Sequence, residues 1–178
     1  MQIIKPPKKQ VKTRSTSVEV FLAGSIEMGA APNWQEDICD YLAEEFSSED
    51  HITKSLVLYN PRRDDWDSSW EQDINNTQFF EQVSWELDRI EKSDIVVIYL
   101  DPETKSPISL LELGKVTKYP EKVLVCCPEG FWRKGNVDIT CYLTGIPVCS
   151  TMSVFKVELA NKIRSAYAQK QISVYGKR

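Results

Sequence analysis

Carboxylates set among apolar residues are where this 178-residue chain could do chemistry. Glu112 is the clearest case. It stands in "DPETKSPISLLELGKV", residues 101–116, beside Leu110, Leu111 and Leu113. A helix over 107–118 puts Ile108 and Val116 on its flank, with Leu110, Leu113 and Gly114 opposite, so the helix is apolar nearly all round. An acid there is either a solvated residue on an exposed flank or a carboxylate held for a reaction. A second group, "LYNPRRDDWDSSWEQD" at 58–73, mixes Asp64, Asp65 and Asp67 with Trp66 and Trp70. Carboxylates beside indoles suit a flat ligand that stacks on a ring and hydrogen-bonds along its edge, as a nucleobase does. An acidic surface loop stapled by a Trp is the plainer alternative. Glu86 and Asp88, in "SWELDRIEKSD", form a third group, and each taken singly is ordinary helix-surface charge.

Several other chemistries are disfavoured. The chain has one histidine, His51, and no CxxC, which argues against a metal centre and against Ser/His or Cys/His nucleophiles. "AGSIEMGAAP" holds Gly24 and Gly29 but is neither a GxGxxG fingerprint nor a P-loop, so dinucleotide or triphosphate binding has no support. Acids, aromatics and no metal ligands point to a glycosidic carbon. There one carboxylate as nucleophile and a second carboxyl as acid suffice without a cofactor.

Elements must position these groups. "VEVFLAG" (18–24), "SLVLYN" (55–60), "DIVVIYL" (94–100) and "KVLVCC" (122–127) are expected strands, with "GIPVCS" (145–150) as a fifth. The continuously apolar 95–100 run suits a strand buried on both faces. Helices are expected over 33–46, 77–93 (stripe Phe80, Val83, Leu87, Ile90), 107–118 with Ser106 as N-cap and Pro107 at N1, and 153–170. The alternation predicts an α/β fold, an open parallel sheet of about five strands with helices on both faces. Ligands bind such sheets beyond the carboxyl ends of the strands. That selects Gly24 and Ser25, the loop after Asn60, Asp101 to Ser106, and residues 128–130.

Composition fits this domain, with 42% hydrophobic and 27% charged residues. Residues 1–17 carry five basic groups (Lys5, Lys8, Lys9, Lys12, Arg14) and no acid, and read as a disordered arm before a single domain over 18–178. With the chain at −4, the remainder is at −9, which disfavours a nucleic-acid polymer as partner. No apolar run is long enough for a membrane helix, and the N-terminal stretch lacks a signal-type apolar region. The five cysteines, Cys39, Cys126, Cys127, Cys141 and Cys149, are expected to be reduced core residues of a cytoplasmic protein.

At "VFLAGSI", "LYNPRRDDWD", "FFEQVSWELDRIEKSDIVVIYL", "SPISLLELG" and "FWRKGNVDITC", in that order over roughly 18–150, the chain resembles the nucleoside 2-deoxyribosyltransferase family. The resemblance implies a flavodoxin-like fold, nucleosides and free bases as ligands, and base exchange without metal or cofactor. It implies Glu112 as the nucleophile on C1′, Glu86 as an acidic site residue helping to hold the sugar, and Asp64 and Asp65 at the base edge, with Asp65 as candidate general acid. Phe21 and Trp66 would wall the base. Asn136 matches a segment lent to a neighbouring subunit's site, which implies a homo-oligomer. Phe21 stands where well-known members carry a tyrosine, and Ser106 where they carry an aspartate. The chain looks closer to the branch that includes nucleoside and nucleotide N-glycosidases, which pass the sugar to water. Arg62, Arg63, Arg133 and Lys134 are available for a 5′-phosphate.

Overall fold

A computed structural model describes residues 1–8, 13–27, 31–67 and 69–175. Lys9, Lys12 and Gly29 lie outside these. Six strands form one sheet: β1 (Gln2–Ile4), β2 (Val18–Gly24), β3 (Leu56–Tyr59), β4 (Ile95–Tyr99), β5 (Val123–Cys126) and β6 (Val148–Cys149). Every pairing is parallel, in the order β1-β3-β2-β4-β5-β6. Leaving β1 aside, this is the flavodoxin-like order 2-1-3-4-5. The sixth strand comes from the stretch expected to be a disordered arm. Ile4 is buried, and its carbonyl accepts the Asn60 N–H at 2.9 Å. Pairing with β3 and the burial of Ile4 seat Gln2–Ile4 at the sheet edge, which the local charge count could not register.

The helices are α1 (Trp34–Glu45), α2 (Asp50–Thr53), α3 (Thr77–Lys92), α4 (Pro107–Val116), α5 (Lys134–Thr144) and α6 (Met152–Tyr175). Strand alternation splits the core into two layers. Val18, Val20 and Leu22 of β2 face α1 and α6 with Ile38, Leu42, Phe155 and Leu159. Phe21 and Ala23 face the other way, toward Trp85 and Ile90 of α3, Leu113 and Val116 of α4, and Val137 and Cys141 of α5. All five cysteines are free and buried. No helix among the described residues is long and apolar enough to cross a membrane.

Helices α3 and α5 depart from expectation. Helix α5 was not foreseen, because Gly135 and the β-branched Val137, Ile139, Thr140 and Thr144 are poor helix formers. It is held by packing Val137 and Cys141 onto the sheet. Helix α3 is present but turned from its expected stripe. Phe80 and Leu87 are exposed, while Gln82, Trp85 and Ile90 are buried.

Gly24 ends β2 at φ 141°, and a Cβ there would lie 2.3 Å from the Tyr99 carbonyl oxygen of β4. Only glycine permits this approach. Gly24→Ala should destabilise the protein by more than about 3 kcal/mol in urea unfolding; a loss below about 1 kcal/mol would show that the β2–β4 junction yields easily.

Candidate active site

In the order β3-β2-β4 the chain leaves β2 first to one side and then to the other, which opens a crevice at the carboxyl ends of β2 and β4. Helices α3 and α4 flank it on one face of the sheet. Lys115 of α4 approaches Glu91 of α3 at 3.9 Å, and Tyr119 donates to Glu91 at 3.4 Å. Each helix brings one carboxyl inward. Glu112 is 8% exposed and shares the inner side of α4 with Ser109, Leu113 and Val116, while Ile108 and Leu111 face outward. It is therefore not a solvated flank residue. Glu86, half-buried on α3, is the charge that acts on it.

Burial and then Glu86's charge push the Glu112 carboxyl up to about 8. Burial pushes Glu86 up to about 7, against a hydrogen bond from Gln82 that favours its ionised form. Among the described residues, no lysine or arginine contributes to either shift. Two adjacent acids without a counter-charge cannot both ionise cheaply, so the pair keeps a proton near neutrality. Gln82, one turn before Glu86, gives its amide to Glu86 at 2.7 Å and to the Pro61 carbonyl at 3.0 Å. It is a site residue missed in the sequence, although its i, i+4 spacing to Glu86 was a usable signal.

A buried hydroxyl cluster caps the crevice. Ser25 Oγ lies 2.5 Å from Ser106 Oγ and accepts the Asp101 N–H at 2.8 Å and the Thr104 hydroxyl at 3.0 Å. Asp101 accepts from Tyr99 Oη at 3.0 Å and from the Glu103 N–H at 2.9 Å. Ser106 was expected to cap α4 with its side chain, but its hydroxyl is turned into this cluster at φ 46°. Glu27 takes over at the start of α4, accepting the Lys105 and Ser106 N–H groups at 2.6 Å each.

The loop after β3 is organised by charge pairs of its own. Asn60, buried, accepts the Arg62 N–H at 2.9 Å. Asp64 is exposed and pairs with Lys5. Asp65 is exposed and binds Arg63 through two bonds of 2.8 and 2.9 Å, which hold its carboxyl below the usual carboxylate range. The expected general acid is thus engaged with Arg63 in this arrangement. Arg63 stacks over Trp70 at 5.0 Å, and Trp66 meets Trp70 edge-on at 5.1 Å. The basic groups considered for a 5′-phosphate are engaged within the protein. Arg62 donates to Gln35 and the Pro32 carbonyl, Lys134 to Asp138, and Arg133 covers Trp132.

Phe21 cannot wall a ligand from its present position. It is fully buried in β2, 6.1 Å from Trp85. Asn136 lies across α4, exposed on α5, in the wall of a groove of about 340 Å³ with Leu110, Leu113, Gly114, Trp132 and Arg133. Glu112 is not in that wall. The structure thus joins Glu86 with Glu112, and Gly24 and Ser25 with Asp101. Asn136 lies in the α4–α5 groove instead.

An all-parallel sheet of this order with two helix-borne acids beside its switch point defines a flavodoxin-like α/β protein with an acidic crevice. A family model described as nucleoside 2-deoxyribosyltransferase like matches residues 17–131, and the chain belongs to that family. Among solved structures, a conserved protein from Enterococcus faecalis V583 is similar in fold, with a TM-score of 0.54 and 16% identity. That alignment covers 84% of this chain and 98% of the other. No curated protein matches the chain.

The acid pair sets a pH dependence. Both carboxyls hold protons in the folded state to about 7 and 8 but release them near 4.5 when unfolded, so the folded state binds more protons between these limits. Stability contributed by the pair is complete below about 4.5 and is lost as pH rises through 7 to 8. Glu112→Gln should equal the parent in urea unfolding at pH 4 and exceed it by about 2–4 kcal/mol at pH 9. An equal stability at pH 9 would mean that the carboxyl is solvated.

Proposed function

We propose that the protein exchanges the base of a 2′-deoxynucleoside through a covalent sugar–Glu112 intermediate. The observation that carries this reading is the burial of Glu112 in an apolar helix with Glu86 as its charged neighbour. The family of nucleoside 2-deoxyribosyltransferase-like proteins to which the chain belongs supports the substrate class.

The pair supplies both functions that the reaction needs. Positive charge developing at C1′ favours ionisation of the carboxyl beside it, Glu112, and leaves the shared proton on Glu86. A Glu112 oxygen then bonds to C1′ while the C1′–N bond breaks. The bonding electron pair leaves with the base, which takes the proton from Glu86. In the return half, a nitrogen of a second base bonds to C1′, the ester bond breaks, and the incoming base's proton goes back to the pair. Two displacements retain configuration. A 2′-deoxy sugar suits the reaction, because no electron-withdrawing hydroxyl opposes charge at C1′. On this reading Ser25, Asp101 and the backbone at Gly24, beyond the carboxyl ends of β2 and β4, hold the sugar.

Glu112→Gln and Glu112→Ala should each lower kcat by about 10⁴-fold or more. The parent protein, mixed with deoxynucleoside and no acceptor base, should show a deoxyribosyl adduct on Glu112 by mass spectrometry. Product analysis should show transfer that depends on the second base. Free deoxyribose released at one rate with or without that base would instead assign the N-glycosidase activity, with water as acceptor.

A second copy of the chain is the proposed occupant of the α4–α5 face. Leu111, Ile139, Tyr142 and Leu143 are all more than 60% exposed there, alongside Asn136. An apolar patch of this kind is characteristic of an interface. Sedimentation should give a mass at least twice 20.5 kDa, and Tyr142→Glu should reduce it to one chain. A parent protein that is monomeric at micromolar concentration would remove Asn136 from any site.

A further inference from the structure

The loop after β3 and the first turns of α3 contain buried polar atoms that have no hydrogen-bond partner among the described residues: Arg63 Nη1, Trp66 Nε1 and Gln82 Oε1. Two belong to side chains that are almost fully enclosed. The Arg63 side chain is 4% exposed and Gln82 is 4% exposed. Buried donors and acceptors are normally satisfied, so such atoms grouped beside a reaction centre point to a ligand that completes them.

The segments that carry them are linked. Gln82 donates to the Pro61 carbonyl, two residues before Arg63, and to the Glu86 carboxyl. Both neighbours are acceptors, which fixes the amide nitrogen toward them and leaves the oxygen unpaired. Arg63 is held in place by its two bonds to Asp65 and by the Trp70 ring, and Trp66 packs against the same ring. The unpaired set is therefore two N–H donors and one carbonyl acceptor, with the acceptor side chain bonded directly to Glu86.

We infer that this set reads the base, and that it selects a keto nucleobase, one presenting C=O beside a ring N–H. The carbonyl oxygen accepts from Arg63 and Trp66, and the ring N–H donates to Gln82. Hypoxanthine, guanine, uracil and thymine have this edge. Adenine and cytosine present an amino group and an unprotonated ring nitrogen there, so donors would face donors and an acceptor would face an acceptor. Asp65 is on this reading a positioning residue, which orients Arg63 instead of touching the base. The inference rests on the base-exchange reading for the placement of the sugar at Glu112.

Matched pairs test it: deoxyinosine against deoxyadenosine and deoxyuridine against deoxycytidine, assayed by initial rates with the parent, Arg63→Met and Trp66→Phe. The second variant keeps the ring and removes only the N–H. Calorimetric binding of free hypoxanthine and adenine accompanies the rates. The keto member should exceed its amino partner at least tenfold in kcat/KM, with the ratio falling toward one in both variants. Hypoxanthine should bind more tightly than adenine to the parent alone. A ratio at or below one, or one unmoved by both substitutions, overturns the inference. If no deoxynucleoside reacts, the base-exchange reading fails and calorimetry alone decides. Preferential hypoxanthine binding that both variants lose upholds keto selection, and equal binding or none overturns it.

Discussion

The site depends on two buried acids that no cation among the described residues neutralises. Glu86 on α3 acts on Glu112 on α4, with a glutamine amide on Glu86 and no cation among the described residues, so their charge is limited by burial and by each other. Taking a carboxylate out of water without a cation is costly unless it keeps a proton or gains a partner. The fold tolerates this because the rest of the two helices is well anchored. Trp85 and Ile90 on α3 and Leu113 and Val116 on α4 sit in one apolar layer over β2 and β4. The favourable burial of those side chains holds a pair of groups that, left alone, would separate.

The charged residues around the crevice are treated differently. Asp64, Asp65, Arg62, Lys134 and Glu27 each have a partner within the chain, and most of these partnerships shape a loop or cap a helix. Compensated charges build the rim, and uncompensated acids occupy the centre. This division explains why an acidic loop rich in tryptophan need not be acidic where it meets a ligand. Its carboxylates can be consumed in orienting an arginine and a lysine.

The main architecture was legible in the sequence because the parallel strands are short, apolar on both faces and bounded by polar loops. Glu112 was legible for the opposite reason, as one acid in a helix otherwise apolar nearly all round. What escaped was set by tertiary contact. Residues 2–4 became a strand through the vacant edge of β3, and α5 formed in spite of its β-branched residues. The rotation of α3 was hidden because its buried side includes Gln82 and Glu86, two residues that periodicity assigns to solvent. That misfit falls at the acid pair, where buried polar groups break the apolar pattern. The pairing of Asp65 was equally invisible, since composition does not say which cation a carboxylate meets.

The short first strand has a consequence for how the crevice is assembled. Ile4 is bonded to Asn60, Lys5 to Asp64, and the Lys8 carbonyl receives the Trp85 indole N–H at 3.0 Å. The opening residues of the polypeptide thus lace together the tail of β3, the tryptophan-bearing loop and the acid-bearing helix. This segment serves as a clasp, and the clasp finds its seat only against residues some eighty positions further along the sequence.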